Sequence, residues 1–319
     1  MEPKRVLTMG EPMGLFIAQE EGKLEDVKQF ITSVAGAEFN VAVGLTRLGH
    51  TVGYYTKLGE DPFGRKIVKC MEGNGIDTSL TQIEPGQHTG FMFKGKTSQG
   101  DPDVYYFRKG SAASAISPDD VKNIDLSQWD AIHLSGILPA VSERALAATH
   151  FLMDEARRAG LTIFFDPNLR PTLWPSREKM VEEINGLAAK ADYVLPGENE
   201  GLILCGSKEP EVIGEFYLKL GVKAVIVKTG ADGAQTFTRE DSFRTPAYPP
   251  KEIVDTVGAG DGFACGIISG VLEGLPLQEA VQRGSAIGTI QIMHVSDNEG
   301  LPTRDELAAF MEQNRQKGC

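Results

Sequence analysis

Short apolar runs alternate with amphipathic stretches through the middle of the chain. Within the amphipathic stretches, apolar residues recur at three- and four-residue steps, which is the period of a helix with one buried face. The predicted strands are residues 131–134, 161–165, 193–195 and 224–228, and the predicted helices between them are 142–158, 179–190 and 210–220. Strands that alternate with helices form right-handed βαβ units. The pattern therefore predicts a mostly parallel sheet with helices on both faces.

The parts of the chain on either side of this region are also predicted to contain strands and helices. Toward the N-terminus the pattern predicts strands at 6–9, 15–18 and 52–56, and helices at 37–48 and from Asp61 to the glycines near 73–75. Toward the C-terminus, Phe237 and residues 243–247 indicate antiparallel edge strands, and three helices follow. Since no linker, repeat or low-complexity tract interrupts the pattern, residues 1–319 are predicted to form one domain.

Residues 87–108 differ in character from this alternating pattern. Two β-type segments, 89–93 and 104–107, enclose a polar segment at 95–103, which predicts a hairpin. Together with strand residues from about 12 to 20, this hairpin is expected to form a small β-sheet lid over a binding site.

Composition excludes several classes of function. The chain has 319 residues and a net charge of -12, and nucleic acid or an anionic membrane surface would require a basic protein instead. The four cysteines are scattered, and the five histidines show no metal-ligand spacing, so free thiols and structural histidines are expected. No apolar run approaches transmembrane length, and the N-terminal run is too short for a signal peptide, which favours a cytoplasmic location.

A glycine-rich stretch, DTVGAGDGF at residues 255–263, precedes a helical pattern. Gly258, Ala259 and Gly260 therefore lie where a loop becomes a helix N-terminus, and the free N–H groups and dipole of such a terminus favour phosphate. Asp261 follows at once. A carboxylate beside bound phosphate is suited to accept the proton of a hydroxyl that attacks a phosphoryl group. By itself the stretch leaves open a tight turn in which Asp261 only caps the helix.

This stretch resembles the second signature of the ribokinase-like (PfkB) carbohydrate kinases. One departure is Cys265, where the family usually has a smaller residue, and it concerns packing rather than chemistry. The sequence AGAEFNVA at residues 35–42 resembles the first signature, in which Gly36 lets the backbone approach a sugar and Asn40 offers both a donor and an acceptor. The resemblance covers nearly the whole chain. It implies a ribokinase-like three-layer αβα sandwich with a mostly parallel central sheet and a small β-sheet lid.

Other segments are similar to patterns of 2-keto-3-deoxygluconate kinases and fructokinases within this family. By that resemblance, Arg108 and Arg170 meet the carboxylate or nearby oxygens of a sugar acid, and Tyr106 and Asp297 contact the sugar. Arginine offers the forked donors that a carboxylate prefers, although a surface ion pair is its commoner fate. The loop after the first strand lacks the aspartate that fructokinases and ribokinases generally place there, which favours an anionic substrate.

The nucleotide side of the site is also assigned by resemblance. The residues that match the family's nucleotide-binding pattern are Asn168, Lys228, Gly230 and Gly233. Glu200 matches a glutamate that acts through water on Mg²⁺ and phosphate, but Gly197 stands where the family has an asparagine. Outside the family context, a T-G-x-x-G segment is more often an ordinary turn.

A second glycine-lysine pattern is a false lead. The sequence GFMFKGKT at residues 90–97 satisfies the P-loop pattern literally. Its interior is apolar and aromatic, it lies within a predicted strand, and no helical pattern follows, whereas a P-loop needs a flexible turn between a strand and a helix. The sequence therefore does not favour a nucleotide site there.

Taken with the resemblance, these residues predict an ATP- and Mg²⁺-dependent kinase for 2-keto-3-deoxygluconate that forms the 6-phosphate. Fructokinase is the alternative on the same fold, and a sugar sensor without catalytic activity is the alternative of another class. A monovalent cation such as K⁺ is a possible further cofactor. The expected partners are a sugar acid and ATP, and the lid sheet could pair two copies into a homo-oligomer.

Overall fold

The computed structural model describes residues 3–97 and 103–315. The strands in these ranges are β1 Arg5–Met9, β2 Met13–Ala18, β3 Phe30–Ala35, β4 Thr51–Gly59, β5 Thr81–Glu84, β6 Phe91–Lys94, β7 Val104–Phe107, β8 Ala131–Ser135, β9 Thr162–Asp166, β10 Tyr193–Val194, β11 Ala224–Lys228, β12 Ala234–Thr238 and β13 Ser242–Thr245. The helices are α1 Ala37–Arg47, α2 Pro62–Gly73, α3 Pro118–Val121, α4 Leu138–Val141, α5 Glu143–Arg158, α6 Arg177–Ala188, α7 Glu198–Leu204, α8 Pro210–Lys219, α9 Ala259–Leu272, α10 Leu277–Gln291 and α11 Arg304–Arg315.

The described residues form a central sheet of nine strands in the order β13-β12-β11-β10-β9-β8-β1-β4-β5. Neighbours from β5 to β11 pair in parallel, whereas β11, β12 and β13 pair in antiparallel fashion. The sequence prediction of a mostly parallel sheet with antiparallel edge strands is confirmed. Parallel strands place their carboxyl ends at one edge of the sheet, where open α/β folds bind ligands.

Alternate residues of the central strands belong to different hydrophobic cores. On β9, Phe165 packs in a core with α5 and α6, while its neighbour Phe164 packs in a core with α1, α9 and α10. Because successive side chains of a strand point to opposite faces, the two cores lie on opposite sides of the sheet. The prediction of a three-layer αβα sandwich is therefore confirmed.

A smaller sheet of four described strands, in the order β3-β2-β6-β7, forms the lid. The hairpin of β6 and β7 is antiparallel, as predicted, and β2 joins it in parallel to β6. The lid prediction, about 12–20 and 87–108, omits β3, in which only part of the short strand is buried and Ile31 is 51% exposed. Residues 98–102 of the predicted lid, and the termini of the predicted 1–319 domain, lie outside the described residues.

The departure at Cys265 is explained by the packing of α9 against α1. Cys265 is fully buried, and a β-carbon added to Gly44 of α1 would lie 2.6 Å from its Sγ atom. A glycine on the facing helix therefore makes room for the larger side chain. The described cysteines, Cys70, Cys205 and Cys265, are free, as predicted, and Cys319 lies outside the described residues.

Most predicted element boundaries lie within two residues of the observed ones, and side-chain caps explain several of them. Asp61 accepts hydrogen bonds from the N–H groups of Phe63 and Gly64 at the start of α2. Ser142 accepts one from Ala145 at the start of α5. Such caps satisfy N–H groups that lack intrahelical partners.

In residues 3–97 and 103–315, no helix is both long and apolar enough to cross a membrane.

Candidate active site

A cavity of about 400 Å³ lies between the lid and the carboxyl ends of the central strands. The N-termini of α1 and α9 open onto it, so unpaired backbone N–H groups face its interior. The predicted site residues that line it are Gly36, Asn40, Tyr106, Arg108, Asn168, Arg170, Lys228, Gly258, Gly260, Asp261 and Asp297. The residues that line it without having been predicted include Glu11, Glu38, Lys94 and Asp166.

Asp261 lies in the first turn of α9 with its carboxylate at the cavity. Its Oδ2 atom accepts a hydrogen bond of 2.7 Å from Nδ2 of Asn40. Burial raises the pKa of Asp261 to about 8; Asn40 opposes the shift, and the nearby acids Asp166, Glu38 and Asp297 add to it. A carboxyl group that titrates near neutral pH is suited to exchange a proton with a substrate hydroxyl.

The loop before α9 has the form of an anion cradle. Gly258 has a φ of +81°, and an added β-carbon would lie 2.2 Å from the backbone oxygen of Asp297, so both the conformation and the close approach require glycine. Asp255 shapes the loop by accepting the N–H of Val257 at 3.0 Å. Ala259 begins the helix but is not among the residues that line the cavity.

Lys94 reaches from lid strand β6 to this loop. Its ammonium lies 2.6 Å from Oδ2 of Asp255 and 3.3 Å from Oδ1 of Asp297, and the residue is only 4% exposed. Burial raises the pKa of Asp297, and the charge of Lys94 opposes that shift. The lid is thus joined to the cradle by a buried ion-pair cluster. Asp297 lines the cavity, and part of its hydrogen-bonding capacity is taken by Lys94.

Lys228 and Asp166 form another part of the cavity wall. The ammonium of Lys228 lies 2.8 and 2.9 Å from the two carboxylate oxygens of Asp166, at the end of β9. Burial lowers the pKa of Lys228, but the carboxylates of Asp166 and Glu200 outweigh it and leave that pKa raised. Lys228 is therefore a cation across the working pH range. Asn168, two residues after Asp166, has a φ of +39°, a backbone conformation that asparagine tolerates.

Glu200 lies behind this wall rather than in it. Its Oε1 atom accepts the N–H of Leu169 at 2.9 Å, and its Oε2 atom accepts the N–H of Gly197 at 2.7 Å. Each carboxylate oxygen keeps a lone pair for a water molecule. Gly197 has φ -94°, which any residue adopts, so its backbone does not itself require glycine.

Gly230 and Gly233 do not line the cavity, and the local structure accounts for both. They flank a 3₁₀ turn between β11 and β12, with φ values of +60° and +100°. A β-carbon added to Gly233 would lie 2.1 Å from the backbone oxygen of Thr245. The geometry of this turn is therefore sufficient to explain why both positions are glycine.

Arg108 is a buried residue with one acid partner. Its Nε atom donates to Oε2 of Glu11 at 2.7 Å, and Ser111 donates to the other oxygen of that carboxylate at 2.5 Å. The Nη2 atom lies 2.5 Å from Glu11 but has no aligned hydrogen-bond acceptor in the described structure. The guanidinium also lies over the ring of Tyr106, 5.8 Å from its centroid. Arg108 is thus oriented and largely neutralised, with a donor left over.

Arg170 differs from the other cations of the cavity. Lys94, Lys228 and Arg108 each contact a carboxylate, whereas Arg170 has no carboxylate partner among the described residues. Its Nη1 atom donates to the backbone oxygen of Leu169 at 2.9 Å, which holds the side chain near the end of β9. Its charge is available to an anionic ligand.

Glu38 is a buried acid that the sequence pattern did not identify. It lies in the first turn of α1, and its Oε1 atom accepts a hydrogen bond of 2.5 Å from Ser135. Burial raises the pKa of Glu38, and the Ser135 hydrogen bond opposes the shift. The only sign in the sequence that Glu38 is buried is its position among apolar residues at the start of a predicted helix.

Together these groups can bring a hydroxyl to a carboxylate base beside a phosphate cradle. In the described part of the chain, no group of three or more histidine, cysteine or acidic side chains is arranged to hold a metal ion. A metal such as Mg²⁺ would therefore be held chiefly by the phosphates of a nucleotide and by water. The lone pairs left on Glu200 fit that indirect role.

Comparison with known proteins agrees with this geometry. Residues 3–304 match the model of the pfkB family carbohydrate kinases. The chain is 43% identical to a 2-dehydro-3-deoxygluconokinase of Bacillus subtilis, over 97% of this chain and 96% of the relative. It is 33% identical to a 2-dehydro-3-deoxygluconokinase of Thermoproteus tenax, covering 96% and 94%, and 30% identical to a 5-dehydro-2-deoxygluconokinase of Geobacillus thermodenitrificans, covering 91% and 87%.

Solved structures give the same result. The fold is similar to that of a PfkB protein from Polaromonas sp. JS666, with a TM-score of 0.88 and 46% identity over 96% of this chain and 99% of that one. It is equally similar to an E. coli protein described as a ribokinase II and solved with ATP and Mg²⁺, with a TM-score of 0.88 and 27% identity, covering 97% and 99%. The ribokinase-like fold is thus confirmed, and the chain belongs to the pfkB family of carbohydrate kinases.

Proposed function

We propose that this kinase transfers the γ-phosphoryl group of ATP to the terminal hydroxyl of 2-keto-3-deoxygluconate, also called 2-dehydro-3-deoxygluconate, and forms the 6-phosphate. The observation that carries the proposal is that Arg170, a cation without a carboxylate partner among the described residues, lines the same cavity as Asp261. A sugar acid needs a cation for its carboxylate and a base for its hydroxyl. Two relatives with this activity in their names, at 43% and 33% identity, support the choice.

In the proposed reaction, Asp261 accepts the proton of the terminal hydroxyl as that oxygen forms a bond to the γ-phosphorus. The bond between the γ-phosphorus and the bridging oxygen breaks, and ADP leaves with the electron pair. Gly258, Gly260 and the ammonium of Lys228 line the cavity, where they would face the phosphates. Bound Mg²⁺ would neutralise phosphate charge, held indirectly through Glu200. The lid excludes water, which limits hydrolysis of ATP.

On the sugar side, Arg170 is proposed to bind the carboxylate first. Arg108, already paired with Glu11, offers a remaining N–H of its guanidinium to a neighbouring oxygen, and Tyr106, Gly36 and Asp297 line the space for the carbon chain. The amide of Asn40, predicted to bind the sugar, is already engaged with Asp261. We infer that its main role is to hold the base, and that its second N–H remains for a substrate oxygen.

On the nucleotide side, Asn168 and Lys228 are proposed to contact phosphates from the cavity wall. Gly230 and Gly233 lie on the turn that follows Lys228, outside the cavity, where they would leave space for the nucleoside.

The substrate is tested with ATP and three acceptors at equal concentration: 2-keto-3-deoxygluconate, 5-dehydro-2-deoxygluconate and fructose. The second acid is included because relatives at about 30% identity carry that activity in their names. We expect the first acid to give the highest kcat/KM. Turnover of fructose alone would overturn the proposal in favour of a fructokinase, and binding without turnover of any acceptor would indicate a sensor.

The carboxylate contact is tested with Arg170→Ala. Loss of a charged hydrogen bond predicts a rise in the KM for the sugar acid, by about tenfold or more, with little change in the KM for ATP. Arg177→Ala, at an exposed position at the start of α6, is the matched control. An equal rise in both KM values would contradict the assignment.

We also propose that the lid pairs two copies of the chain. Strand β7 is at the edge of the lid sheet and exposes Tyr105 and Phe107, at 59% and 49%, and edge strands readily pair with a second chain. Light scattering should give a dimer that Tyr105→Glu weakens. A monomer at assay concentration would contradict this.

Two further expectations from the family resemblance stay predictions. A monovalent cation such as K⁺ should raise the rate relative to tetramethylammonium at the same ionic strength, and equal rates would contradict it. A cytoplasmic location is testable by cell fractionation.

A further inference from the structure

A row of hydrogen bonds runs from the lid backbone to Asp261. The backbone oxygen of Val34, in β3, accepts from Nδ2 of Asn298 at 3.2 Å. The same Nδ2 donates to Oδ1 of Asn40 at 2.9 Å, and Nδ2 of Asn40 donates to Oδ2 of Asp261 at 2.7 Å. Three groups, the Val34 carbonyl and the amides of Asn298 and Asn40, thereby form a chain of hydrogen bonds that ends at the carboxylate of Asp261.

The Val34 carbonyl determines which atoms donate and which accept along this row of hydrogen bonds. A backbone carbonyl can only accept a hydrogen bond, so the amino group of Asn298 must face Val34 and Asn40. Asn40 must then turn its oxygen toward Asn298, which leaves its amino group facing Asp261. The orientation of both amides follows from the position of one carbonyl group.

The loop that carries Asn298 is held firmly in place. Nη1 of Arg47, at the end of α1, lies within hydrogen-bond distance of the backbone oxygens of Asn298, Glu299 and Leu301, at 3.0, 3.2 and 2.7 Å. Ser296, earlier in the same loop, has a φ of +97°, a conformation that costs energy for a non-glycine residue and persists only where the surroundings enforce it. Asn298 is 8% exposed and does not line the cavity.

We propose that Asn298 is a positioning residue for phosphoryl transfer, which orients the Asn40 amide so that it donates to Asp261 and keeps that carboxylate ready to accept a proton. The proposal rests on the proposed function, because it requires Asp261 to be the base. A purely structural role for Asn298, as a brace between β3 and α1, would use the same hydrogen bonds. The two roles differ in their effect on pH dependence.

Other charged groups also face Asp261 and must be considered. Glu38 is on α1, Asp166 is at the end of β9, Lys228 is at the end of β11, and Asp297 is in the loop after α10. A substitution at Asn298 leaves Glu38, Asp166 and Lys228 in place, whereas Asp297 is its neighbour in the chain and also faces a charge introduced there. A change in the pH profile therefore reports on the Asn40 amide or on charge introduced at position 298.

The test is the pH profile of kcat/KM for Asn298→Asp. An aspartate can accept but not donate, so Asn40 would turn its amino group toward it and present its oxygen to Asp261. Two facing oxygens favour the protonated base, which shifts the rising limb of the profile to higher pH. We expect kcat/KM at pH 7 to fall by about tenfold or more, since one unit of pKa is a factor of ten, and the loss to shrink as the pH rises. A loss that is equal at every pH would overturn the proposal.

Asn40→Ala separates orientation from charge. In the Asn40→Ala background, Asn298→Asp should cause no further shift of the rising limb if it acts through the Asn40 amide. A shift that persists in that background would show that the added charge acts directly on Asp261, and would also overturn the proposal.

Asn185→Asp is the matched control, because Asn185 bridges Leu204 and Tyr217 by hydrogen bonds outside the cavity. It should leave the shape of the profile unchanged. Thermal melting and binding of MgATP show whether each variant is folded. If Asp261→Asn retained near-normal turnover, the proposed function itself would fail, whereas parallel profiles for Asn298→Asp with an inactive Asp261→Asn would overturn only this inference.

Discussion

The two ends of helix α9 each carry a largely buried acid, and the two acids have opposite properties. Asp261 is in the first turn, and burial among other acids raises its pKa to about 8. Glu273 follows the last turn, with a side chain 2% exposed. Burial would raise its pKa too, but hydrogen bonds from Arg304 and Arg283 lower it to about 2.

The helix dipole would predict the reverse, because it favours an anion at the N-terminus and disfavours one at the C-terminus. Its contribution is about 0.3–1 kcal/mol, less than one unit of pKa. Arg283 and Arg304 lie 2.8 and 2.7 Å from Glu273, whereas the only hydrogen-bond donor from a side chain to Asp261 is the neutral amide of Asn40 within the described residues. Direct partners therefore decide the behaviour of each acid. They suit Asp261 to the proposed proton transfer and Glu273 to stabilising ion pairs.

The largest effect is expected from Asp261→Asn. Asparagine cannot accept the proton of the hydroxyl, so kcat should fall by about 100- to 10,000-fold, the usual contribution of a general base. Binding of MgATP should be retained, which calorimetry can measure. Glu273→Gln serves as the comparison, and should keep the activity of each folded molecule. Near-normal turnover of Asp261→Asn would refute the assignment of the base.

Glu273→Gln should instead lower stability. It removes the charge that two arginines share, and breaking a buried ion pair from one side costs about 3–5 kcal/mol. Chemical denaturation measures the change. Glu215→Gln, at an exposed pair with Lys219, is the control and should cost under about 1 kcal/mol. Similar losses for the two variants would show that the cluster at the C-terminus of α9 is no stronger than a surface pair.

A smaller effect is expected on the pH dependence of stability. The pKa of Asp261 is raised from 3.8 to about 8 in the folded protein, so the native state binds the proton more tightly and loses stability as the pH rises between these values. Asp261→Asn removes this loss. Its gain in stability should grow from pH 5 to pH 8, by at most about 1.4 kcal/mol for each pH unit. Melting temperatures of both proteins across that range provide the check; a gain that does not change with pH would contradict the raised pKa.

Glu273 should change the stability with pH in the opposite direction to Asp261. Because its pKa is lowered, its stabilising contribution is complete above its ordinary value of 4.5 and is lost as the pH falls through about 2. The difference between the natural protein and Glu273→Gln should therefore narrow below pH 4.5.

The smallest effect is expected from Ser269→Ala. Its hydroxyl lies 2.8 Å from Nη1 of Arg283 and 2.9 Å from Nε2 of His50 within the Glu273 cluster. Loss of one neutral side chain from a charged network predicts a cost of about 1 kcal/mol, measurable by denaturation. A cost equal to that of Glu273→Gln would show that the serine, and not the acid, holds the cluster together.

The sequence pattern singles out Asp261, the proposed base at the start of α9, but not Glu273 at the end of that helix. Asp261 is part of a local pattern in which glycines, an acid and a helix start are adjacent, so a short stretch contains the whole signal. Glu273 acquires its role from Arg283 and Arg304, which belong to other helices. Nothing near Glu273 in the sequence distinguishes it from a solvated acid at a helix end.

The same limit applies inside the cavity. Arg170 follows a predicted strand and Lys228 ends one, so their position at the carboxyl edge of a sheet could be deduced. Lys94 lies in a short apolar strand, and its partners Asp255 and Asp297 are more than 150 positions away. The pairing of Arg108 with Glu11 was equally invisible, although it changes the expected role of the arginine. Sequence patterns predict the direction of a strand, but not which charges meet across a closed lid.

The bond between Asn40 and Asp261 joins positions 221 apart in the chain, and that between Val34 and Asn298 joins positions 264 apart. Contacts between positions so far apart in the chain slow folding, because closing the long loop between them costs entropy. A chain synthesised only to the end of the lid strands has Asn40 but lacks Asp261, the proposed base, and Asn298, the proposed positioning residue. The proposed site is therefore complete only after residue 298 has been made and has returned to β3.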